Sequence, residues 1–181
     1  MMDIQVLTPM HRGVTGAIHL NRKLQDVINP DAKGLEHREQ WFRIGDKVMQ
    51  QQNDYEKLVF NGDLGRIVNC DPKTKELHVQ FDQQIVHYQG KEIDQLSLAY
   101  AITVHKSQGS EYSAVIVPLT THHYMMLQRN LLYTAITRGK QLVVLIGTDA
   151  AIKKAVKNEG STRRFTGLLH QLSELGASPL F

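Results

Sequence analysis

Two uninterrupted apolar runs in the second half of the chain limit the folds that it can adopt. They are AVIVPL at residues 114–119 and QLVVLIG at residues 141–147. A strand that is apolar at successive positions has both faces buried, which is typical of a parallel sheet covered by helices. Helical periodicity over residues 125–137 supplies the crossover that two parallel strands require. The sequence therefore predicts an α/β domain with a parallel sheet.

The beginning and the end of the chain continue this alternation. Ile4–Thr8 is a short apolar run, and residues 16–28 place apolar side chains at helical spacing. Residues 96–103 are predicted to form one further strand. Two closing helices are predicted at residues 149–158 and 162–175.

The middle of the chain has a different pattern. Its segments are short and its turn signals recur, of which Asn61–Gly62 is a strong one because both residues tolerate positive φ. Strands are predicted at residues 65–68, 77–81 and 85–88. Four or five short strands in about 55 residues predict a small β-barrel. The predicted division is therefore an α/β domain in two parts, with a barrel between them, at residues 1–40, 97–181 and 41–96 respectively.

The distribution of charge says more than the formal net charge of +3. Residues 97–181 carry nine Lys or Arg against four Asp or Glu, whereas residues 41–96 carry seven against nine. A phosphate-bearing partner would therefore be attracted to the last part of the chain. The barrel's aromatic residues are candidates for stacking on bases, but its net charge of −2 (seven minus nine) predicts only a weak grip on DNA. These candidates are Trp41, Phe42, Tyr55, Phe60, Phe81 and Tyr88.

Cysteine content and hydropathy narrow the cellular setting. A single cysteine, Cys70, cannot form an internal disulfide, and no Cys/His spacing suggests a metal site. The adjacent His122 and His123 are expected to lie on a loop surface. No run approaches the roughly 20 apolar residues of a membrane span, and no signal peptide is visible, so we expect a cytoplasmic protein without a membrane or metal partner. The opening Met1–Met2, followed at once by a strand-like segment, looks like a cut into a longer chain.

The segment AITVHKSQGSEY, residues 101–112, is the first candidate for chemistry. It runs from a predicted strand into a polar loop, and open α/β sheets place their sites outside the carboxyl ends of strands. The hydroxyl, imidazole, ammonium and amide groups of residues 103–108 are suited to phosphates. A solvated turn would show the same composition, so both interpretations remain open at this point.

Two basic residues lie where predicted elements end. The helical segment NLLYTAITRGK ends at Arg138, where a guanidinium either complements the helix dipole or reaches a phosphate on a neighbouring domain. Arg12 lies in TPMHRG, after the first strand, which is either an ordinary basic loop or the rim of a cleft. The chain contains no phosphate loop of the form GxxxxGK[ST] and no strand that ends in an Asp–Glu pair.

Four segments in a fixed order resemble a known family. VLTPMHRGVTGAIHLNRKLQ, FNGDLGRIV, AYAITVHKSQGSEY and NLLYTAITRGK are similar to the C-terminal half of superfamily 1 DNA helicases of the exodeoxyribonuclease V alpha-subunit type, the RecD-like helicases. The resemblance covers about residues 4–147. It implies a RecA-like parallel-sheet domain, called 2A, with an inserted SH3-like barrel, called 2B. It also implies an ATP-dependent helicase that moves 5′ to 3′ in DNA repair or recombination.

The resemblance assigns roles to individual residues. Arg138 matches an arginine finger that contacts the γ-phosphate, a catalytic role. The residues implied to approach the nucleotide are Arg12, Gly109, Glu111 and Arg138. Those implied to contact single-stranded DNA are Thr103, His105, Lys106 and Ser107.

The same resemblance implies cofactors and partners. ATP and Mg²⁺ would bind between this half and an N-terminal RecA-like domain that holds the phosphate loop and the acidic pair. Nuclease-complex subunits are implied as further partners. Because this chain lacks both motifs, we expect that it neither hydrolyses ATP nor unwinds DNA alone. Two alternatives stay open: the helicase half of a conjugative relaxase, and a non-enzymatic nucleic-acid-binding module with the same fold.

Overall fold

The computed structural model describes residues 4–82, 84–120, 126–159 and 171. Within these ranges the strands are β1 (Ile4–Thr8), β2 (Gly34–His37), β3 (Gln40–Arg43), β4 (Lys47–Gln50), β5 (Leu64–Asp71), β6 (Glu76–Phe81), β7 (Gln84–Gln89), β8 (Leu96–Leu98), β9 (Ala101–Thr103), β10 (Tyr112–Leu119) and β11 (Gly139–Gly147). The α-helices are α1 (Ala17–Ile28), α2 (Arg129–Ile136) and α3 (Asp149–Lys157), and 3₁₀ turns span Gly90–Gln95 and Val104–Ser107.

The predicted parallel sheet is present, with the strand order β11-β10-β1-β9. All three strand pairs in it are parallel. One face of the sheet packs on α2 and α3, where Val115, Val117 and Leu119 are fully buried against Leu132 and Ala135. On the opposite face, α1 lies beside β9 and β1. The arrangement is the three-layer α/β form that the apolar runs predicted.

β11 was predicted to be buried on both faces, but one of its faces is exposed. Leu142, Val144 and Ile146 are 55%, 36% and 56% exposed. β11 is an edge strand of the described sheet, and α1 covers only the other end of this face.

Two predictions fall on residues that the structure does not describe. They are the helix at 162–175, apart from Gln171, and the pair His122–His123. Among the helices that the structure describes, none is both long and apolar enough to cross a membrane.

The middle of the chain forms a five-stranded antiparallel sheet with the order β7-β6-β5-β4-β8. Its core is a separate cluster that includes Val48, Ile67, Leu77 and Tyr88. In the described residues the sheet is open, with β7 and β8 at its edges, rather than a closed barrel. A hairpin of β2 and β3, which the sequence did not predict, precedes it.

The chain changes sheets where a single strand was predicted at 96–103. β8 pairs with β4 in the antiparallel sheet, whereas β9 pairs with β1 in the parallel one. The Asn21 side chain of α1 bridges β8 and β9. Its Nδ2 donates to the carbonyls of Leu98 at 2.9 Å and Ala101 at 2.8 Å. The buried side of α1 is thus partly polar, whereas the apolar Ile18, part of its predicted face, is 41% exposed.

Asp46 connects α1 to the five-stranded sheet. Its side chain is fully buried and accepts hydrogen bonds from the Gln25 amide, the Asn29 amide at 2.8 Å, the Tyr100 hydroxyl at 2.9 Å and the Arg43 backbone N–H at 2.7 Å. Burial, and secondarily the Asp46 carboxylate, raise the pKa of Tyr100, so its hydroxyl remains a donor. A buried carboxylate with four donors is a satisfied network and holds its neighbours in one arrangement.

The next residue, Lys47, makes a second connection in the direction of the parallel sheet. Its Nζ donates to Oε1 of Gln5 on β1 at 2.6 Å, and to the Ile4 carbonyl at 3.3 Å. The Gln5 amide in turn donates to the carbonyls of Ala99 and Tyr100, both at 3.1 Å. Asp46 precedes β4 and Lys47 is its first residue. Together they fix the five-stranded sheet to helix α1 and to strand β1 of the α/β part.

Candidate nucleotide and nucleic-acid interface

Residues 104–111, here called the crossing loop, connect β9 to β10. Thr103 pairs with Thr8 at the carboxyl end of β1, whereas Tyr112 starts β10 before the position that pairs with Ile4. The crossing loop therefore returns from the carboxyl edge of the parallel sheet to its amino edge, beside α2. Its two ends present polar residues at opposite edges of one sheet.

At the carboxyl edge the crossing loop begins with a tight 3₁₀ turn. The Thr103 hydroxyl accepts from the Lys106 backbone N–H at 3.3 Å and so caps the turn. The Ser107 hydroxyl donates to the Val104 carbonyl at 2.7 Å and is fully buried. Ser107, which we expected to contact DNA, is thus positioned to hold the turn. His105 and Lys106 are exposed.

A groove of about 100 Å³ opens beside this turn. Its lining includes Thr103 and Lys106 from the parallel sheet's edge, His11 from the loop after β1, Arg22 from α1 and Gln51 from the end of β4. A lysine, an arginine and a histidine around one groove form a surface suited to a phosphate backbone. The sequence placed His11, Arg22 and Gln51 in no common site, because only the fold brings their elements together.

Lys106, which lines the groove, also contacts the turn before β5 of the five-stranded sheet. Nζ of Lys106 donates to Oδ1 of Asn61 at 2.9 Å, so the crossing loop contacts the predicted hairpin turn. Next to Asn61 in the chain, Phe60 makes an edge-to-face pair with Tyr55, with ring centroids 6.0 Å apart. Both rings are exposed, at 42% and 73%. An exposed aromatic pair beside a basic groove is suited to stacking on unpaired bases.

The other aromatic candidates divide by burial. Phe42, Phe81 and Tyr88 belong to the core of the five-stranded sheet, whereas Trp41 is 46% exposed. Three of the six predicted stacking candidates are therefore core residues.

At the amino edge, Arg138 follows the end of α2 and is half-buried. Its Nη1 donates to the Ser110 carbonyl at 3.1 Å, its Nε to the Thr134 carbonyl at 3.3 Å, and its Nη2 to the Thr137 hydroxyl at 3.4 Å. Its own carbonyl accepts from the Tyr112 N–H at 2.8 Å. The contact with Thr134 is the helix-end role that the sequence left open, and the contact with Ser110 adds a link to the crossing loop.

Gly109 and Glu111 flank Ser110 in the crossing loop. Gly109 has φ of +86°, and a Cβ added there would meet no heavy atom within 4 Å. Its backbone conformation, rather than crowding, therefore favours glycine. Glu111 is exposed and its carboxylate lies 3.0 Å from Nζ of Lys140. The structure thus brings Gly109, Glu111 and Arg138 together, where a guanidinium and a carboxylate are suited to a phosphate and a ribose hydroxyl.

Arg12 does not join this group. It is exposed in the loop between β1 and α1, and the neighbouring His11 carbonyl accepts from the Ile18 N–H at 3.2 Å, at the start of α1. That loop leaves the carboxyl edge of β1, so Arg12 lies at the edge that carries Lys106 and away from Arg138.

A third cluster, of side chains that can bind metal ions, was not predicted from the sequence. Glu76, His78 and His87 place carboxylate and imidazole ligand atoms within 4.8 Å of one another on the five-stranded sheet. We expected no metal site because the spacing between these residues is unlike known zinc motifs. Only the pairing of β6 with β7 brings the two histidines together.

Comparisons with known proteins agree with the resemblance in both parts of the chain. Residues 20–81 match the family model described as the ATP-dependent RecD-like DNA helicase SH3 domain, and residues 98–146 match the UvrD-like helicase C-terminal domain. The ATP-dependent RecD2 DNA helicase of Deinococcus radiodurans is 40% identical over 169 residues, which are 93% of this chain and 23% of that protein. The chain is thus similar in sequence to RecD-like helicases over nearly its whole length.

Other relatives of the RecD-like chain extend this result. The RecBCD enzyme subunit RecD of Mycobacterium tuberculosis is 30% identical over 97% of the chain and 30% of its own length. The chain thus spans between a fifth and a third of these relatives. A Bacteroides Pif1 helicase in complex with ADP-AlF3 and single-stranded DNA has a similar fold, with a TM-score of 0.61 at 18% identity, over 96% of this chain and 46% of that one.

Proposed function

We propose that this RecD-like chain supplies the arginine finger and part of the DNA track of an ATP-dependent DNA helicase that moves 5′ to 3′. ATP and Mg²⁺ would be held between it and an N-terminal RecA-like domain. In this proposal, residues 1–40 and 97–181 form domain 2A, and residues 41–96 form domain 2B. The RecD2 and RecD relatives support this assignment.

The observation that carries the proposal is the course of the crossing loop. One end lies beside Arg138, which donates to Ser110, and the other end carries Lys106 in the basic groove. One eight-residue segment, 104–111, therefore adjoins both the nucleotide candidates and the DNA candidates. Such a segment provides a direct physical route for coupling two ligands.

At the amino edge, Arg138 exchanges partners as the two motor domains close. Its present acceptors, the Ser110 and Thr134 carbonyls and the Thr137 hydroxyl, are neutral. A γ-phosphate is a charged, multidentate acceptor and makes stronger hydrogen bonds with a guanidinium. Arg138 then stabilises the negative charge that develops on the transferred phosphoryl group. Glu111, which follows Ser110 in the crossing loop, accepts a hydrogen bond from the ribose hydroxyl.

At the carboxyl edge, the same segment grips DNA. Thr103 and Lys106 contact backbone phosphates in the groove, His105 contacts the backbone from the same turn outside the groove, and Tyr55 and Phe60 stack on bases. When Arg138 leaves Ser110, the crossing loop loses one of its anchors and shifts Lys106 along the strand. Because binding free energies are coupled reciprocally, DNA in the groove also favours the closed, phosphate-bound position of Arg138.

The proposal that Arg12 approaches the nucleotide rests on the resemblance alone. In the structure, Arg12 lies at the carboxyl edge of the sheet, with Lys106, and away from Arg138. Nuclease subunits are proposed as further partners, supported by the relatives that are RecBCD subunits.

DNA-stimulated ATP hydrolysis tests the proposal. We expect none from the purified 181-residue chain, and turnover when the chain is part of a protein with the N-terminal RecA-like domain. Binding of labelled oligo-dT by the isolated chain, measured by fluorescence anisotropy, is expected without ATP. DNA-stimulated ATPase activity of the isolated chain above background would refute the proposed division of the motor.

A further inference from the structure

A cluster on the exposed face of the five-stranded sheet has no part in the proposed motor. His78 on β6 and His87 on β7 are directly opposed in the antiparallel register. Glu76 precedes His78 by two residues and therefore projects from the same face. Between these positions, Leu77 and Tyr88 are fully buried on the other face. The hairpin thus fixes the backbone positions from which the three side chains extend.

The ligand atoms of the cluster lie within 4.8 Å of one another. Oε1 of Glu76 lies 3.2 Å from Nε2 of His78 and 3.0 Å from Nδ1 of His87. The two imidazole rings stack with centroids 4.0 Å apart at an interplanar angle of 20°. In a tetrahedral zinc site with Zn–N bonds of 2.0–2.1 Å, neighbouring ligand atoms are separated by about 3.3 Å. The carboxylate–imidazole distances are therefore close to those of a bound ion.

The simpler alternative is a carboxylate that accepts a hydrogen bond from one ring N–H of each imidazole. A divalent cation would take the place of those two hydrogens and use the same three ligand atoms. Because an imidazole lone pair lies in the ring plane, the exposed His87 ring would turn out of the stack to direct its nitrogen at the ion.

The supporting contacts favour a fixed site. Nζ of Lys57 donates to the His87 carbonyl at 2.8 Å and pairs with Glu92 at 2.8 Å, which anchors β7 at this position. His78 is largely covered, with 26% of its side chain exposed, whereas His87 is 59% exposed. An ion can therefore enter from the His87 side without unfolding the hairpin.

We propose that Glu76, His78 and His87 form a binding site for a divalent transition metal, with Zn²⁺ as the favoured ion and water in the fourth position. Two nitrogen donors and one carboxylate suit zinc, whereas Mg²⁺ and Ca²⁺ select oxygen ligands. The site ties β6 to β7 and stabilises the five-stranded sheet. It is independent of the proposed helicase activity.

The test uses the 181-residue chain after treatment with a chelator. Titration with ZnCl₂, followed by competition with a fluorescent zinc indicator, should give one saturable site per chain. At zinc concentrations about 100 times the dissociation constant, the melting temperature should rise by at least about 5 °C, because the ion binds the folded state. The same concentration of MgCl₂ should give no such rise.

Three variants locate the site. His87→Ala and His78→Gln should each weaken zinc binding at least tenfold, and Glu76→Gln should weaken it less while keeping the shape of the side chain. His87 is exposed, so its variant should melt like the parent without zinc. The matched control is the double variant His122→Ala/His123→Ala, which removes two consecutive histidines that are not part of the proposed site. Absence of saturable binding, or binding lost in the control and kept in His87→Ala, would overturn the proposal.

Discussion

Nη1 of Arg138 donates a hydrogen bond to the backbone carbonyl of Ser110 at 3.1 Å, and so joins the end of α2 to the crossing loop. The two segments are 28 residues apart in the chain. Both were candidates for nucleotide contact on the resemblance, and this bond is the physical connection between them. It also means that the guanidinium has a partner to give up when it binds a phosphate.

In the intact parent protein, Arg138→Ala should lower ATP turnover on the order of 10³-fold or more, because the variant lacks the cation that we propose to stabilise the transferring phosphoryl group. ATP affinity should fall much less. Steady-state ATPase assays and nucleotide titrations measure the two effects. The matched control is Arg129→Ala, at the start of the same helix, where the arginine pairs with the exposed Glu159. Equal losses of turnover and affinity would indicate a structural role for Arg138.

Lys106→Ala should weaken binding of single-stranded DNA by the isolated chain, because the groove loses its cation at the crossing loop. The slope of log affinity against log salt should become shallower by about 0.7, as expected for one phosphate contact on a single strand. Anisotropy titrations at several salt concentrations test this. Lys153→Ala, which removes an exposed lysine from α3, should leave the slope unchanged. An unchanged slope for Lys106→Ala would remove this residue from the DNA track.

Asp46→Ala should destabilise the chain by on the order of 3 kcal/mol, because it leaves buried donors of Gln25, Asn29 and Tyr100 without their acceptor. Urea denaturation followed by circular dichroism measures the loss. Asp26→Ala removes a carboxylate that is 63% exposed and should cost little. Similar losses for both variants would argue against a special role for the Asp46 network.

Gly109→Ala separates strain from function. The positive φ of this glycine should make the variant less stable by about 1–2 kcal/mol, with no steric clash to add. Gly90 also has positive φ and open space around it, so Gly90→Ala is a control with comparable strain outside the crossing loop. In the intact parent, ATPase activity should fall in Gly109→Ala and persist in Gly90→Ala. Equal activities would mean that no nucleotide contact depends on Gly109.

The apolar runs predicted the parallel sheet well because burial of β10 requires apolar residues at successive positions. The change of sheet at Ala99–Tyr100 was invisible for the same reason, since LSLAYAIT is compatible with either sheet. The buried face of α1 was assigned to apolar residues, but Asn21 and Gln25 are buried instead. They satisfy backbone and carboxylate groups that exist only in the folded protein.

The roles of the site residues remain predictions from the resemblance, and the sequence did not predict their geometry. The order of motifs pointed to Arg138 and the crossing loop, but not to the burial of Ser107 or to the position of Arg12 at the other edge. Strand register decides both Arg12's position and the meeting of His78 with His87. Register depends on long-range pairing, which a local pattern does not encode.

The two consecutive anchors at Asp46 and Lys47 have a consequence for engineering. Because one carboxylate grips a helix and the next ammonium grips a strand, the middle of the chain is not an interchangeable cassette. A chimaera that receives residues 41–96 from a relative would also need matching partners at Gln25, Asn29 and Gln5 in the recipient. Without them, the transplant would bury a carboxylate that lacks two of its donors and an ammonium that lacks its Gln5 acceptor. The hybrid would then be destabilised where the two parts join rather than in either core.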